Sequence, residues 1–396
     1  MVEKQTAIQG ADVLTSVGWL KDATVIVEEG KIVSLEPVIS PKGAILVDAR
    51  GLHMLPGIVD VHGDAFERTI APRPSVSFPL EMALAENDRN LLAAGVTTFF
   101  YSITDSYESG LRSRDMARQI IEFVLEKGKQ ALCCDSRIHI RHEQANIEDH
   151  EELSAWLEAN QIDLLSLNDH LPVAGNEQQL ARHIKSLRLR HTMSDGEIRA
   201  FVERMQAARE QGREQVEQLV AIAHNVGIPL ASHDDDTEEK VALSATRQIA
   251  IAEFPATIEL AAMSRNYGAA VVMGAPNLVR GGSHVGYMSV AEAAQNGVLD
   301  ILCSDYHYPS LFHAPFKLAE LGLMPFEQAW QLVSTRPAIA AGIGDAKGRI
   351  GVGLDADFLL VTPENPLPSA IRAVYVAGQE VARYSLNRSV IDEPKY

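Results

Sequence analysis

Eight short apolar segments alternate with helical stretches through the middle of this chain, and this alternation constrains the fold more than any other feature. The segments cover residues 57–61, 97–103, 131–140, 162–167, 228–232, 248–252, 269–273 and 299–303. The helical stretches between them include residues 79–94, 112–127, 193–225 and 257–265. Strands that alternate with helices form parallel sheets. Eight such units predict an α/β fold of the (β/α)8 barrel type, whose active site lies at the C-terminal ends of the strands.

Short β-rich pieces also occur at both ends of the chain. One of them, residues 23–35, contains a hairpin turn, and similar pieces follow residue 348. Neither end has enough strands for a good sheet of its own. We therefore predict one small β-sandwich domain built from residues 1–54 and 345–396, with the barrel at residues 55–344 inserted between them.

The formal net charge of −18 limits the partners that the chain can have. It argues against nucleic acid or an anionic membrane, so a phosphorylated small molecule would need a local cationic cluster or a metal ion. No run of apolar residues approaches the roughly eighteen of a membrane span, and the first residues lack the pattern of a signal peptide. The three cysteines are too few for a disulfide framework, which indicates a cytoplasmic protein. The sequence leaves a homo-oligomer open.

The segment at residues 55–64 places a histidine and a carboxylate at the end of the first predicted strand. A Pro-Gly turn precedes the strand, and His62 and Asp64 stand two residues apart, so both side chains point to the same side. An imidazole and a carboxylate together are typical ligands of a divalent metal. The alternative is that Asp64 caps the following helix beside a hydrogen-bonded His62.

Seven of the eight predicted strands end in a His, Asp, Glu or Asn residue. These residues are His62, Asp64, Glu143, His170, His233, Glu253, Asn277 and Asp305. A single acidic side chain at such a place could be a helix cap, but histidines at several strand ends predict a metal cage. Mixed nitrogen and oxygen ligands favour one or two divalent ions, zinc first, with manganese or iron as alternatives. We assign His139 to the histidines of the core or surface.

Taken together, these strand ends resemble the amidohydrolase superfamily. The resemblance covers essentially the whole chain, including residues 55–64, His233, Asp305 and the late segment 353–360. It implies a metal-bearing barrel joined to a small sandwich made from both termini. The superfamily usually has a second histidine where this chain has Asp64, and it often uses a carboxylated lysine for which this chain has no candidate.

Within the superfamily, the chain resembles the phosphonate-metabolism branch, the α-D-ribose 1-methylphosphonate 5-triphosphate diphosphatases. The most specific motif is Gly-Ala-Pro-Asn at residues 274–277, followed by Arg-Gly-Gly-Ser-His at residues 280–284. The sequence departs from the branch at residues 65–67 and after His170, where the substrate would lie. The resemblance implies hydrolysis of a ribose 5-triphosphate to the 5-phosphate and diphosphate.

The resemblance also implies roles for particular residues. The implied metal ligands are His62, Asp64, Glu143, His170 and His233. Glu143 would bridge two ions in place of the carboxylated lysine. Asp305 would contact the metal and accept the proton of the attacking water, whose pKa a bound metal can lower to about 7.

Four arginines fall at or just past strand ends and could bind the phosphates, because a guanidinium can donate two parallel hydrogen bonds. They are Arg68, Arg73, Arg141 and Arg280. The alternative for each is a salt bridge to the acidic surface. Asn277 and His284 could contact the substrate or act as a further acid.

Two other functions stay open at this point. The same metal-activated water could attack a carbonyl carbon, as in a deacetylase or a cyclic amidase. The chain could also be a catalytically silent barrel that serves as an interaction protein, although such proteins lose the ligands that this chain keeps at its strand ends.

Overall fold

The structure is a computed structural model, and it describes residues 5–36, 42–73, 76–188, 193–282, 288–363 and 365–385. Two eight-stranded sheets organise the chain: one forms the wall of a barrel, and the other joins strands from both ends of the sequence. The predicted α/β fold with a (β/α)8 barrel is confirmed. No helix of the described residues is long and apolar enough to span a membrane.

The strands are numbered in chain order. They are β1 Thr6–Thr15, β2 Gly18–Glu28, β3 Lys31–Leu35, β4 Ile45–Asp48, β5 His53–Pro56, β6 Ile58–Gly63, β7 Val96–Asp105, β8 Asp135–Glu143, β9 Leu164–Asn168, β10 Leu230–His233, β11 Ile251–Glu253, β12 Ala270–Gly274, β13 Ile301–Cys303, β14 Phe358–Val361, β15 Ile371–Val376 and β16 Gln379–Arg383. The barrel strands are β6–β13, and each overlaps one of the eight predicted segments.

The barrel strands pair in parallel and in chain order from β6 to β13. The first and last strands meet through a parallel bridge between Gly63 and Asp305, where the Asp305 N–H donates to the carbonyl of His62. The Asp64 N–H donates in return to the carbonyl of Asp305 at 3.0 Å. The backbone that joins the two edge strands is therefore the same backbone that carries three predicted site residues.

Apolar side chains fill the barrel below this rim. Val59, Phe100, Leu164, Ile251 and Ile301 are buried together in its interior. A larger apolar layer lies between the barrel wall and the surrounding helices. The α-helices are Glu67–Ile70, Leu80–Ala93, Arg114–Phe123, Lys129–Ala131, His150–Glu158, Glu177–Arg188, Asp195–Val226, Glu238–Thr246, Ile258–Asn266, Ala275–Arg280, Val290–Gln295, Pro309–Glu320, Phe326–Gln331 and Thr335–Ala340.

The longest helix, Asp195–Val226, has clear sequence signals at both ends. Ser194 and Glu197 form a capping box at its start, and Gly227 adopts a left-handed conformation with φ of 79° at its end. The helix approaches the loop after β8 so closely that a Cβ on Gly212 would lie 1.9 Å from the carbonyl oxygen of Gln144. This contact supports the loop that follows Glu143 at the rim.

The second sheet runs in the order β16-β15-β14-β5-β1-β2-β3, and β4 pairs with β1. Its own core includes Ile8, Val25, Met54, Phe358 and Tyr375. Strand β5 from the N-terminal part pairs antiparallel with β14 from the C-terminal part, as expected for a unit built from both ends. The domain limits at residues 1–54 and 345–396 stay a prediction, and β5 runs across the first of them.

Candidate active site

The C-terminal ends of the barrel strands bring two groups of possible metal ligands to one rim. The first group is His62, His139 and Glu253, and the second is His170, His233 and Asp234. Within each group, one nitrogen or oxygen atom of every residue lies within 4.8 Å of the others. The groups are neighbours, because the ring centroids of His62 and His233 are 5.5 Å apart.

The first group lies inside the barrel, where all three side chains are buried. His62 Nδ1 lies 2.7 Å from Glu253 Oε1, and His139 Nε2 lies 3.9 Å from the same oxygen. Ser166 donates a hydrogen bond to the other oxygen of Glu253 at 3.0 Å. Burial alone would raise the pKa of Glu253, but the adjacent histidines hold it far below its usual value. Glu253 therefore carries a negative charge at the centre of the group.

His139 is oriented as a metal ligand would be. Its Nδ1 lies 3.0 Å from the carbonyl oxygen of Val61, a geometry in which the ring N–H donates to the backbone. Its Nε2 is buried without a hydrogen-bond partner among the described residues. Burial lowers the pKa of His139 to about 3, so the ring is neutral. A neutral imidazole with one nitrogen held by the backbone and the other unpaired fits a divalent metal.

His62 completes this donor set of two imidazoles and one carboxylate. Burial lowers the pKa of His62, but the charge of Glu253 outweighs burial and raises it overall. The ring of Phe254 packs edge-on against His62, with the centroids 5.0 Å apart, and against His233 at 5.4 Å. Phe254 does so with φ of 56°, which is strained for an aromatic residue. Two histidines and one carboxylate suit zinc, manganese or iron.

The second group is joined into a chain of charged contacts. His170 Nδ1 contacts Glu143 Oε1, and His170 Nε2 lies 3.8 Å from Asp234 Oδ2. Burial lowers the pKa of His170, but the two carboxylates raise it to about 10. Burial raises the pKa of Glu143, but His170 lowers it to about 2. His170 and Glu143 therefore form an ion pair in the described structure.

Arg141 lies between two predicted metal ligands. Its Nη2 is 3.0 Å from His233 Nε2, and its Nη1 is 3.5 Å from Asp64 Oδ2. The side chain is 10% exposed, and its Nε is buried without a hydrogen-bond partner among the described residues. Asp64 belongs to neither group of possible ligands. It lies at the same rim, held by its backbone to Asp305 and by its carboxylate to Arg141.

Asp305 lies just past β13, close enough to His62 for its charge to raise that residue's pKa. A Cβ on Gly274 would lie 3.1 Å from Asp305 Oδ2, so a larger residue there would press on the carboxylate and displace it by a few tenths of an ångström. Asn277 is next to this contact, and its Oδ1 is buried without a hydrogen-bond partner among the described residues.

Two of the predicted phosphate-binding arginines converge on Tyr306, the residue after Asp305. Arg68 Nη2 donates to the carbonyl oxygen of Tyr306, and Arg280 Nη1 donates to its hydroxyl at 2.9 Å. Both acceptors are uncharged, and within the described part of the chain neither arginine forms an ion pair with a carboxylate. Arg73 is exposed and forms a backbone bridge with Val76. His284 lies outside the described residues.

Three members of the two groups did not stand among the predicted ligands. The sequence assigns His139 to the core or surface, places Glu253 at a strand end without a role, and does not put Asp234 among the predicted ligands. The signal for His139 was its position on the same face of β8 as Arg141 and Glu143. The predicted ligands His62, His170 and His233 do reach the two groups.

Comparisons with known proteins identify the family to which this chain is similar. A model of the amidohydrolase family matches residues 53–381. The α-D-ribose 1-methylphosphonate 5-triphosphate diphosphatase of Escherichia coli (strain K12) is 34% identical over 321 residues, which are 79% of this chain and 84% of that protein.

Solved structures share the fold at low sequence identity. A Xaa-Pro dipeptidase with bound methionine has a TM-score of 0.65 at 15% identity, over 95% of this chain and 99% of that chain. A dihydropyrimidinase from Brevibacillus agri has a TM-score of 0.59 at 16% identity, over 96% of this chain and 95% of that chain.

Proposed function

Because the chain belongs to the amidohydrolase family, we propose that it is a metal-dependent hydrolase that cleaves α-D-ribose 1-methylphosphonate 5-triphosphate to the 5-phosphate and diphosphate. The alignment with the relative that is named for this activity covers most of both chains. In this reaction a phosphoric anhydride P–O bond breaks, the oxygen of water forms a new P–O bond, and diphosphate leaves.

His62, His139 and Glu253 would hold the divalent ion, and zinc suits this donor set best. When bound, a divalent ion lowers the pKa of a coordinated water to about 7 and so supplies a nucleophile at neutral pH. Of these three residues, only His62 was among the predicted ligands.

Asp305 would accept the proton of the attacking water. The carboxylate lies at the rim next to His62, and the backbone bridge to β6 fixes its position. A general base must be ionised and within reach of the proton that it removes. The absence of a side chain on Gly274 leaves the space that Asp305 occupies.

The observation that carries the substrate assignment is the pair of arginines on Tyr306. An arginine that only neutralises acidic side chains would contact a carboxylate, as Arg112 does with Glu67 at 3.1 Å. Arg68 and Arg280 instead contact uncharged oxygens, so their positive charge is available to an anionic ligand beside Asp305. A triphosphate needs such cations, whereas a neutral amide does not.

The test is a substrate comparison with purified protein that carries a defined metal. The substrates are the ribose 1-methylphosphonate 5-triphosphate, the same sugar phosphonate with a 5-phosphate, an N-acyl amino sugar and a cyclic amide. We expect diphosphate from the triphosphate alone, detected by ³¹P NMR, and loss of turnover after chelation that added metal restores. Release of an amine or a ring-opened acid from the amides, without diphosphate, would identify a C–N hydrolase instead. Protein that binds no metal and turns over none of the substrates would support a silent barrel.

A further inference from the structure

Arg141 lies between two of the predicted metal ligands, His233 and Asp64. Its guanidinium contacts His233 Nε2 at 3.0 Å and Asp64 Oδ2 at 3.5 Å, so one cation already joins a histidine of β10 to the carboxylate after β6. The side chain is almost fully buried among these partners. The first ligand group, His62, His139 and Glu253, contains no lysine or arginine.

We propose that the Arg141 guanidinium takes the place of a second metal ion, and that the centre holds one divalent ion, at His62, His139 and Glu253. This inference rests on the proposed function only in assuming a metal-dependent hydrolase. It assigns different tasks to the two groups of possible ligands: the first binds metal, and the second is a charged network that holds Arg141.

The hydrogen-bonding capacity of Arg141 carries the argument. A guanidinium has only donors, so the nitrogen that it contacts must accept a hydrogen bond. His233 Nε2 therefore gives its lone pair to Arg141, and the ring proton lies on Nδ1. Nδ1 is 3.4 Å from Asp234 Oδ2, on the side where a carboxylate favours a proton. Neither nitrogen of His233 is then left with a lone pair for a metal ion.

His170 of the second group and the neighbouring Glu143 also have partners of their own. His170 lies between Glu143 on one side and Asp234 on the other. Glu143 also accepts a hydrogen bond from the backbone N–H of His170 at 3.3 Å. A second ion would have to displace these contacts and approach the fixed positive charge of Arg141. His139 Nε2 and His233 Nδ1 are both buried without a hydrogen-bond partner among the described residues. They differ in that His233 Nδ1 carries the ring proton, whereas His139, whose Nδ1–H faces the carbonyl of Val61, keeps a lone pair on Nε2.

A fixed guanidinium also supplies what the second ion would give to a phosphate substrate. The side chain is held in place by its contacts with His233 and Asp64. Its two Nη atoms already contact His233 and Asp64, so what Arg141 offers a nearby phosphate is its fixed positive charge. Unlike a bound ion, it is present at every metal concentration.

Metal stoichiometry tests this inference without using the substrate. Apoprotein is titrated with Zn²⁺ and, in parallel, with Mn²⁺, and bound metal per chain is measured by elemental analysis after gel filtration. We expect one ion per wild-type chain and two per chain in Arg141→Met, which keeps the length of the side chain but removes its charge. The double variant Arg141→Met/His233→Ala should return to one ion. The Mn²⁺-loaded Arg141→Met protein should show the electron paramagnetic resonance spectrum of two coupled ions.

The variant Arg141→Lys is the matched control, because it keeps a positive charge, and we expect one ion. Two tightly bound ions in the wild-type chain, with the second lost in His233→Ala, would overturn the proposal. One ion in both wild type and Arg141→Met would show that Arg141 does not exclude the second ion, and would overturn it as well. Either result leaves the proposed function intact, since that function depends on diphosphate release from the triphosphate.

Discussion

A buried carboxylate behind the rim gives the sharpest prediction on stability. Asp105, at the end of β7, accepts hydrogen bonds from Arg114 at 2.6 and 2.7 Å and from Asn146 at 3.1 Å, and it lies 2.7 Å from His142 Nδ1. Burial raises its pKa, but His142 and Arg114 outweigh burial and lower it to about 2. His142 stands between Arg141 and Glu143 on β8, so this network supports the strand that carries both.

The lowered pKa of Asp105 gives the size of the stability change expected for Asp105→Asn. A change from the ordinary value of 3.8 to about 2 corresponds to about 2.5 kcal/mol of differential stabilisation of the charged form. Removing one partner of a buried ion pair costs about 3–5 kcal/mol, because the other charge remains buried. We therefore expect Asp105→Asn to lower the free energy of unfolding by about 3 kcal/mol at pH 7, measured by urea denaturation.

The sequence contains a matched control for this prediction. Asp48 receives the same two-pronged contact from Arg50, at 2.9 and 2.7 Å, and its pKa is also lowered to about 2 by that hydrogen bonding. This pair is exposed to solvent, which screens it. We expect Asp48→Asn to leave the urea midpoint unchanged. Equal effects of Asp48→Asn and Asp105→Asn would refute the reasoning that burial decides the strength of the pair.

The pH dependence of the same pair has a definite sign. Because the pKa of Asp105 is lower in the folded protein, its contribution is present above pH 3.8 and is lost as the pH falls through about 2. The difference in stability between wild type and Asp105→Asn should therefore shrink between pH 4 and pH 2. A difference that stays constant over this range would contradict the assignment.

Three further predictions concern the rim. Asp305→Asn should abolish turnover while bound metal and the circular dichroism spectrum stay unchanged; wild-type activity would exclude Asp305 as the base. Arg280→Ala should raise KM for the triphosphate about tenfold or more while the metal content stays unchanged. An unaltered KM would show that Arg280 only balances the surface charge and does not bind the phosphates. Phe254→Gly removes the ring that packs on His62, so metal affinity should fall. Relief of the strained φ of 56° offsets only part of the packing that is lost, so the free energy of unfolding should fall as well. Gln248→Gly, at a similar φ of 50°, is its control and should keep wild-type affinity.

The fold could be predicted from the sequence because its signals are local. Each barrel strand is a short apolar segment between helical stretches, and each predicted segment overlaps an observed strand. The pairing of β5 with β14 follows from a different argument, since neither end of the chain has strands enough for a sheet of its own. The order of strands and helices along the chain was therefore enough to predict the architecture, and no side-chain contact had to be known.

The roles of individual side chains at the rim depend on contacts across the barrel, and these are not local. The chain separation between His62 and Glu253 is 191 residues, and no spacing rule indicates that they lie 2.7 Å apart. The sequence assigns His139 to the core or surface, whereas its Nε2 lies 3.9 Å from the carboxylate of Glu253 on β11. Strand ends could therefore be assigned to the rim, but the partner of each side chain could not.

The arginines show how an acidic chain can bind an anionic substrate. With a net charge of −18, the average potential repels a triphosphate, and most arginines near the rim face a carboxylate, as Arg209 does with Asp169 at 2.8 Å. Binding of an anionic substrate therefore depends on how many cationic side chains near Asp305 are not neutralised by a carboxylate. Arg68 and Arg280 meet this condition because Tyr306 gives them uncharged acceptors. Tyr306→Phe removes the acceptor of Arg280 alone, so it should weaken phosphate binding less than Arg280→Ala does.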